Sequence, residues 1–324
     1  MIIYERCFKM YYNREIFPTM ITPYKNDGSI DYDTVIKYVD WYFSKGCTGI
    51  FAVCQSSEIF FLSLEERIKI NALVYKRAKE LEKNSGRRFT VVSSGHVSDD
   101  LDSQAEELNA IAESGTDALI FITNRFDINQ EGDKTFIKNA EYVMSKLPND
   151  IPLGFYECPK PYKRLVSDEI LNWCIGTKRF KYMKDTCCDD ALIAKRLEIL
   201  KDSGFNLLNA NSQTLLSSLK NGCMGYCGVM ANLHPELYVW LCRNFEKEPE
   251  KAEALQGALG SLAFAEGGLP YPLFAKYHMC LEGIPTEDIA RSRKGECMSD
   301  YQKDCTRQMR DFTSYTYKSL LSSK

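Results

Sequence analysis

The chain has 324 residues, 44% of them hydrophobic and 26% charged, which is ordinary globular usage and excludes a disordered polypeptide. Its formal net charge is −3, with Lys and Arg scattered among acidic residues, so neither nucleic acid nor an anionic membrane is an expected partner. No stretch approaches the roughly 20 apolar residues of a membrane span. The first 13 residues lack the apolar core of a signal peptide, so a soluble, cytoplasmic protein is expected.

The 13 cysteines are odd in number and spread from Cys7 to Cys305, which suits reduced thiols packed as small hydrophobes better than a disulfide framework. The three histidines, His96, His234 and His278, show no zinc-type spacing with cysteine, so no metal and no cofactor is expected.

In chain order, a strand is predicted over 17–22, then a helix over 32–43 that carries Val35, Ile36, Val39 and Phe43 at helical spacing. A strand over 49–54 precedes Ser63-Leu64-Glu65-Glu66, the form of a capping box, which opens a helix to about residue 80. The alternation continues with strand 89–94, helix 98–113, strand 118–123, helix 132–146, strand 152–157 and helix 167–175. It ends with strand 180–185, helix 189–202, strand 206–210, helix 212–219, strand 225–229 and helix 235–245. Several strands are nearly continuous apolar runs, as strands covered on both faces should be. Eight strand–helix units imply an α/β TIM (β/α)8 barrel. A doubly wound sheet would want a glycine-rich turn after its first strand, and Thr22-Pro23-Tyr24-Lys25-Asn26-Asp27-Gly28 is not one. The expected organisation is an N-terminal extension over 1–15, the barrel over 16–246 and a C-terminal helical extension over 247–324, interrupted by the Gly- and Pro-containing stretch 266–272.

Barrel active sites lie at the C-terminal strand ends, and four of these ends carry chemistry. Lys184 closes the sixth strand. Apolar neighbours favour the neutral amine of a lysine, the form that attacks a carbonyl to make an imine. Tyr156 ends the fifth strand, where a phenol beside an imine can relay protons. Alone, Lys184 reads as a strand-end lysine reaching solvent and Tyr156 as a packing aromatic; adjacent strands make the pair more telling than either. The second strand ends in Cys54-Gln55-Ser56-Ser57-Glu58, where the hydroxyls of Ser56 and Ser57 and nearby backbone N–H groups suit a carboxylate, although a polar capping loop would look the same. In the eighth strand, Cys227 offers a carbonyl and Gly228 permits close approach of a ligand, or both belong to an ordinary strand.

Together these stretches resemble the dihydrodipicolinate synthase / N-acetylneuraminate lyase family of class I aldolases and lyases. The resemblance runs over about 17–237 and rests on Thr22-Pro23, Ser57-Glu58 with Leu62–Arg67, Tyr156-x-x-Pro159, Lys184-Asp185-Thr186 and Gly222-x-x-Gly225 before Gly228. It implies that Lys184 forms an imine with pyruvate or a similar 2-oxo acid, that Tyr156 shuttles protons, and that Ser56 and Ser57 hold the carboxylate. It also places the Cys227 carbonyl near the lysine and implies a homo-oligomer, dimer or tetramer. Several positions depart from the family pattern. Gln55 stands where a relay hydroxyl is usual, no tyrosine occurs in Thr123-Asn124-Arg125-Phe126-Asp127, and Pro161 replaces an arginine that binds the second substrate. Lys163 and Arg164 are the nearest bases, and Arg125 is a candidate for a substrate tail, with a solvated loop arginine the plainer reading. The expected activity is therefore a lyase or aldolase on a 2-oxo-3-deoxy sugar acid. The alternatives are dihydrodipicolinate synthase itself and a non-catalytic descendant that binds a small acid.

Overall fold

The structure, a computed structural model, describes residues 14–321. Most of the expected N-terminal extension lies outside the described residues. Eight parallel strands follow one another round a barrel: β1 (Glu15–Ile16), β2 (Gly49–Phe51), β3 (Thr90–Ser93), β4 (Ala118–Ile122), β5 (Leu153–Tyr156), β6 (Phe180–Asp185), β7 (Asn206–Asn209) and β8 (Gly225–Tyr226). Strand β1 pairs with β8, and a parallel bridge from Thr19 to Phe51 closes the ring against β2. The first strand was expected further along, at 17–22. Phe17 still donates its N–H to Tyr226, but Pro18 has no N–H to continue the ladder.

Eight helices alternate with the strands: α1 (Tyr32–Ser44), α2 (Leu64–Ser85), α3 (Leu101–Ser114), α4 (Asp133–Met144), α5 (Asp168–Thr177), α6 (Asp190–Leu200), α7 (Leu215–Lys220) and α8 (Pro235–Asn244). Their starts are written locally. Asp31, Asp100, Ser167 and Asp189 each accept a backbone N–H of the first turn, and Ser63 and Glu66 form the reciprocal capping box. Helix α2 ends where Gly86 takes φ 70°, a left-handed turn that a side chain would resist.

Side-chain alternation along β5 and β6 decides what faces the barrel interior. Phe155 points outward, 5.4 Å from the ring of Phe136 on α4 and stacked at 4.7 Å on Phe180. Tyr156 and Lys184 therefore point inward, while Glu157 and Asp185 point back out toward the helices. Gly154 lies on the inward side, where a Cβ would come 2.5 Å from the Tyr182 carbonyl.

The C-terminal extension comprises α9 (Pro249–Glu266), α10 (Leu273–Leu281) and α11 (Asp300–Thr316), broken after α9 by Gly267, Gly268, Pro270 and Pro272. It is fastened to the barrel by buried polar contacts. At the start of α8, His234 meets Glu266 at 2.5 Å through Nε2 and Thr313 at 2.7 Å through Nδ1. Among the described residues, no helix is long and apolar enough to cross a membrane.

Candidate active site

The C-terminal strand ends open into a cavity of about 820 Å³, whose wall includes Gln55, Ser56, Tyr156, Lys184 and Gly228. Tyr156 and Lys184 stand opposite each other in the β5–β6 register. Both are buried, at 4% and 6% exposure. Lys184 Nζ lies 4.2 Å from the centre of the Tyr156 ring and 5.7 Å from that of Phe51, which meets Tyr156 edge-on. Burial, with the Cys158 and Cys54 thiols nearby, pushes the Tyr156 phenol well above its ordinary pKa. Burial therefore favours the neutral phenol.

The loop after β2 is a short 3-10 turn, Gln55–Ser57. The Gln55 carboxamide oxygen accepts from the Tyr156 hydroxyl at 3.1 Å and from the Cys158 thiol at 3.4 Å. An amide oxygen can accept these protons but cannot pass one on, so Gln55 orients the phenol without extending a relay. Ser56 lines the cavity, and its hydroxyl donates to Thr19 at 3.0 Å.

Ser57 is placed differently from the expectation. Its hydroxyl oxygen lies 2.7 Å from the Met20 carbonyl and 2.8 Å from the Ala52 carbonyl, and it accepts the Cys54 N–H at 3.2 Å. Spent on backbone groups, it staples the loop to the barrel rather than facing a ligand. Cys227 is buried near Lys184, and its N–H is donated to the Asn209 carbonyl at 2.9 Å. Burial pushes its thiol up to about 12, with the nearby Lys184 cation acting in the opposite direction. Gly228 reaches the cavity, and a Cβ there would come 2.4 Å from the Tyr226 hydroxyl and 2.8 Å from the Ala210 carbonyl. The position admits only glycine without a shift.

Arg125 does not reach the cavity. It is buried, bound to Asn124, to the Val97 carbonyl at 3.1 Å and to Asp99 at 2.8 Å. A buried guanidinium takes the partners that neutralise it, which corrects its assignment to a substrate tail. Arg164 is likewise held by Asp127 and Asp133, whereas Lys163 lines the cavity and donates to the Thr186 carbonyl at 2.7 Å.

Two supports were not legible in the sequence. On the outer face of the strand ends, Arg196 of α6 bonds Asp185, meets Glu157 at 2.7 Å and donates to the Val166 carbonyl at 2.7 Å. Glu157 and Asp185 each follow one of the two inward residues, so one guanidinium ties both strand ends. Glu157 also accepts the Thr186 N–H at 2.9 Å. The second support is Glu58, which takes a left-handed φ of 62° at the end of the Gln55 loop. Its carboxylate is held by the C-terminal extension, through Lys276 at 2.8 Å and through the Ser292 N–H and hydroxyl at 2.7 and 2.8 Å. The only sequence signal was the Ser57-Glu58 pair itself, since nothing local points to partners so far along the chain.

The chain is thus a closed (β/α)8 barrel with a buried lysine and a buried tyrosine on adjoining strand ends. The chain matches the dihydrodipicolinate synthetase family over residues 13–311 and belongs to that family. It is 24% identical over 270 residues to the 4-hydroxy-tetrahydrodipicolinate synthase of Methanothrix thermoacetophila, covering 82% of this chain and 86% of that protein. Its fold is similar to that of YagE from E. coli K12, solved in complex with pyruvate, with a TM-score of 0.79 at 18% identity over 94% of this chain and 98% of that one. It is also similar to CdNal from Clostridium difficile, solved with mannosamine, with a TM-score of 0.80 at 15% identity over 93% and 99% of the two chains.

Proposed function

We propose that this chain is a Schiff-base lyase or aldolase that acts on a 2-oxo acid, pyruvate or a 2-oxo-3-deoxy sugar acid. The observation that carries the reading is the facing pair Lys184 and Tyr156, buried together at the base of the cavity. The Lys184 amine, once its ammonium proton has passed to solvent, adds to the C2 carbonyl to give a carbinolamine. Tyr156 donates its proton to the departing hydroxyl, so water leaves and a protonated imine stands beside a phenolate. As the C3–C4 bond breaks, its electrons flow toward the imine to form an enamine, and the phenolate takes the proton of the C4 hydroxyl. The same proton then returns to C3, and hydrolysis frees pyruvate. Ser56 lies on the wall where the substrate carboxylate would rest. The chain works as a homo-oligomer, dimer or tetramer, in this reading, and light scattering gives the order.

Incubation with pyruvate and borohydride, read by intact mass, tests the mechanism. A single reduced adduct is expected, absent from Lys184→Ala. No adduct on the native chain, or the same adduct on the variant, refutes the mechanism; ligand-induced thermal stabilisation in its place identifies a non-catalytic binder. The name of the Methanothrix relative favours a second reading, 4-hydroxy-tetrahydrodipicolinate synthase. A coupled assay with pyruvate and aspartate semialdehyde separates the two, and absence of turnover at high semialdehyde removes the synthase.

A further inference from the structure

The charges at the cavity mouth bear on the far end of the substrate. Lys160 and Lys163 arrive on the loop after β5, and Ser292, Arg293 and Glu296 arrive on the segment between α10 and α11. Among the described residues, Lys160 and Lys163 meet no carboxylate. Glu296 is engaged with Arg293 at 2.7 Å in a half-exposed pair, and Glu58 is neutralised from behind by buried Lys276. The mouth therefore carries an excess of positive charge facing into one cavity.

Arg293 is also held in place. Its Nε donates to the Tyr271 carbonyl at 2.6 Å. The residue before it, Ser292, is bound to Glu58, and Arg291 forks onto Glu66 with both contacts at 2.8 Å. Its short segment is thus tied to the β2 loop and to the start of α2. With Nε on Tyr271 and Nη1 on Glu296, the mounted guanidinium keeps Nη2 to offer to an anion at the mouth. Lys163, bonded to the carbonyl of Thr186, sits on the strand end that carries Lys184 and adds a cation from a separate element.

We infer that the mouth is a subsite for a second acidic group, so that the preferred substrate is a 2-oxo acid whose far end carries a carboxylate or phosphate, with Arg293 its specificity-determining residue. The inference rests on the Schiff-base reading, because the 2-oxo end is placed by Lys184. The cost of leaving Lys160 and Lys163 without an anionic partner falls on neutral tails, while Arg293 keeps Glu296. Rim charges are screened, so the preference weakens as salt rises.

Imine formation reads this without requiring turnover. Borohydride-trapped adduct is measured against concentration for 2-oxoadipate and 2-oxohexanoate, for 2-oxopimelate and 2-oxoheptanoate, and for 2-oxo-5-phosphonopentanoate, with pyruvate as internal reference. At least one acid-ended member is expected to half-saturate at about tenfold lower concentration than its methyl-ended partner, and the phosphonate arm distinguishes phosphate from carboxylate. In Arg293→Gln the ratio of acid-ended to methyl-ended half-saturation should fall toward unity, and Arg293→Lys should restore part of it. Equal half-saturation across the matched pairs, or an unchanged ratio in Arg293→Gln, overturns this inference alone. Absence of adduct from every acid, pyruvate included, defeats the Schiff-base reading and this inference with it.

Discussion

Replacing Arg196 with leucine removes the one cation that Glu157 and Asp185 share, on a site where all three side chains are at most 1% exposed. Breaking a buried pair by deleting one partner costs about 3–5 kcal/mol, because the remaining charge keeps its desolvation penalty. The two pairs share a guanidinium, so their losses are not additive. In a chain of this size each kcal/mol moves Tm by about 2 °C, so a fall of about 6–10 °C is expected. The deficit should depend on pH with a definite sign. Burial already raises the Glu157 carboxyl above its ordinary value, with Arg196 opposing that rise. Without Arg196 the folded-state value climbs further above the unfolded one. Such a group is harmless below its unfolded pKa and destabilises progressively as pH rises through the folded pKa. Thermal melts of wild type, Arg196→Leu and Arg196→Lys at pH 5 and pH 8 measure this directly. The leucine deficit should be smaller at pH 5. A Tm loss below about 2 °C at pH 8, or a deficit independent of pH, would show that Arg196 is not what neutralises the strand ends.

Tyr156→Phe should reach the borohydride adduct with pyruvate more slowly, and turnover of a cleavable substrate should fall roughly 10²–10⁴-fold, the range of a lost general acid–base group; unaltered rates of both would remove Tyr156 from proton transfer. Burial holds the Lys276 ammonium down to about 8, against 10.5 for a free lysine. Between these values the unfolded chain binds the extra proton, so this group's contribution to stability grows as pH rises from about 8 toward 10.5. A profile of Tm against pH for Lys276→Met should lack that rising component, and a profile parallel to wild type would contradict it. Gly228→Ala drives a Cβ against the Tyr226 hydroxyl and the Ala210 carbonyl, and chemical denaturation should register a loss of about 1–3 kcal/mol. A neutral result would mean that the wall gives way at no cost.

What the sequence made legible follows from local physics. Apolar runs at regular spacing announced parallel strands, and the alternation of β5 and β6 turns Tyr156 and Lys184 inward together. Strand ends were overrun because a barrel ladder lasts only a few residues before the chain turns, as Pro18 shows just after β1. Ser57 was read as a ligand hydroxyl because a hydroxyl in a loop carries no mark of whether it faces solvent or a backbone carbonyl. Arg125 and Arg196 have the same letter and helical or loop surroundings as any surface arginine, and only the fold reveals that both are buried among carboxylates or carbonyls. Gln55 was noticed for the hydroxyl it lacks, whereas its carboxamide oxygen turns out to hold the Tyr156 phenol.

The attachment of Glu58 to the C-terminal extension has a consequence for synthesis. Glu58 and Ser292 are separated by 234 residues. At ribosomal speeds of about 5–20 residues per second, roughly 10–50 s pass between the emergence of the loop and that of its fastening. Throughout that interval the nascent barrel can pair its strands, but the loop beneath the phenol has no Lys276 or Ser292 to hold its left-handed end. Chains cut short before Lys276 would carry Lys184 and Tyr156 without the contacts that hold Glu58, so a later stretch of the chain completes a wall begun by an earlier one.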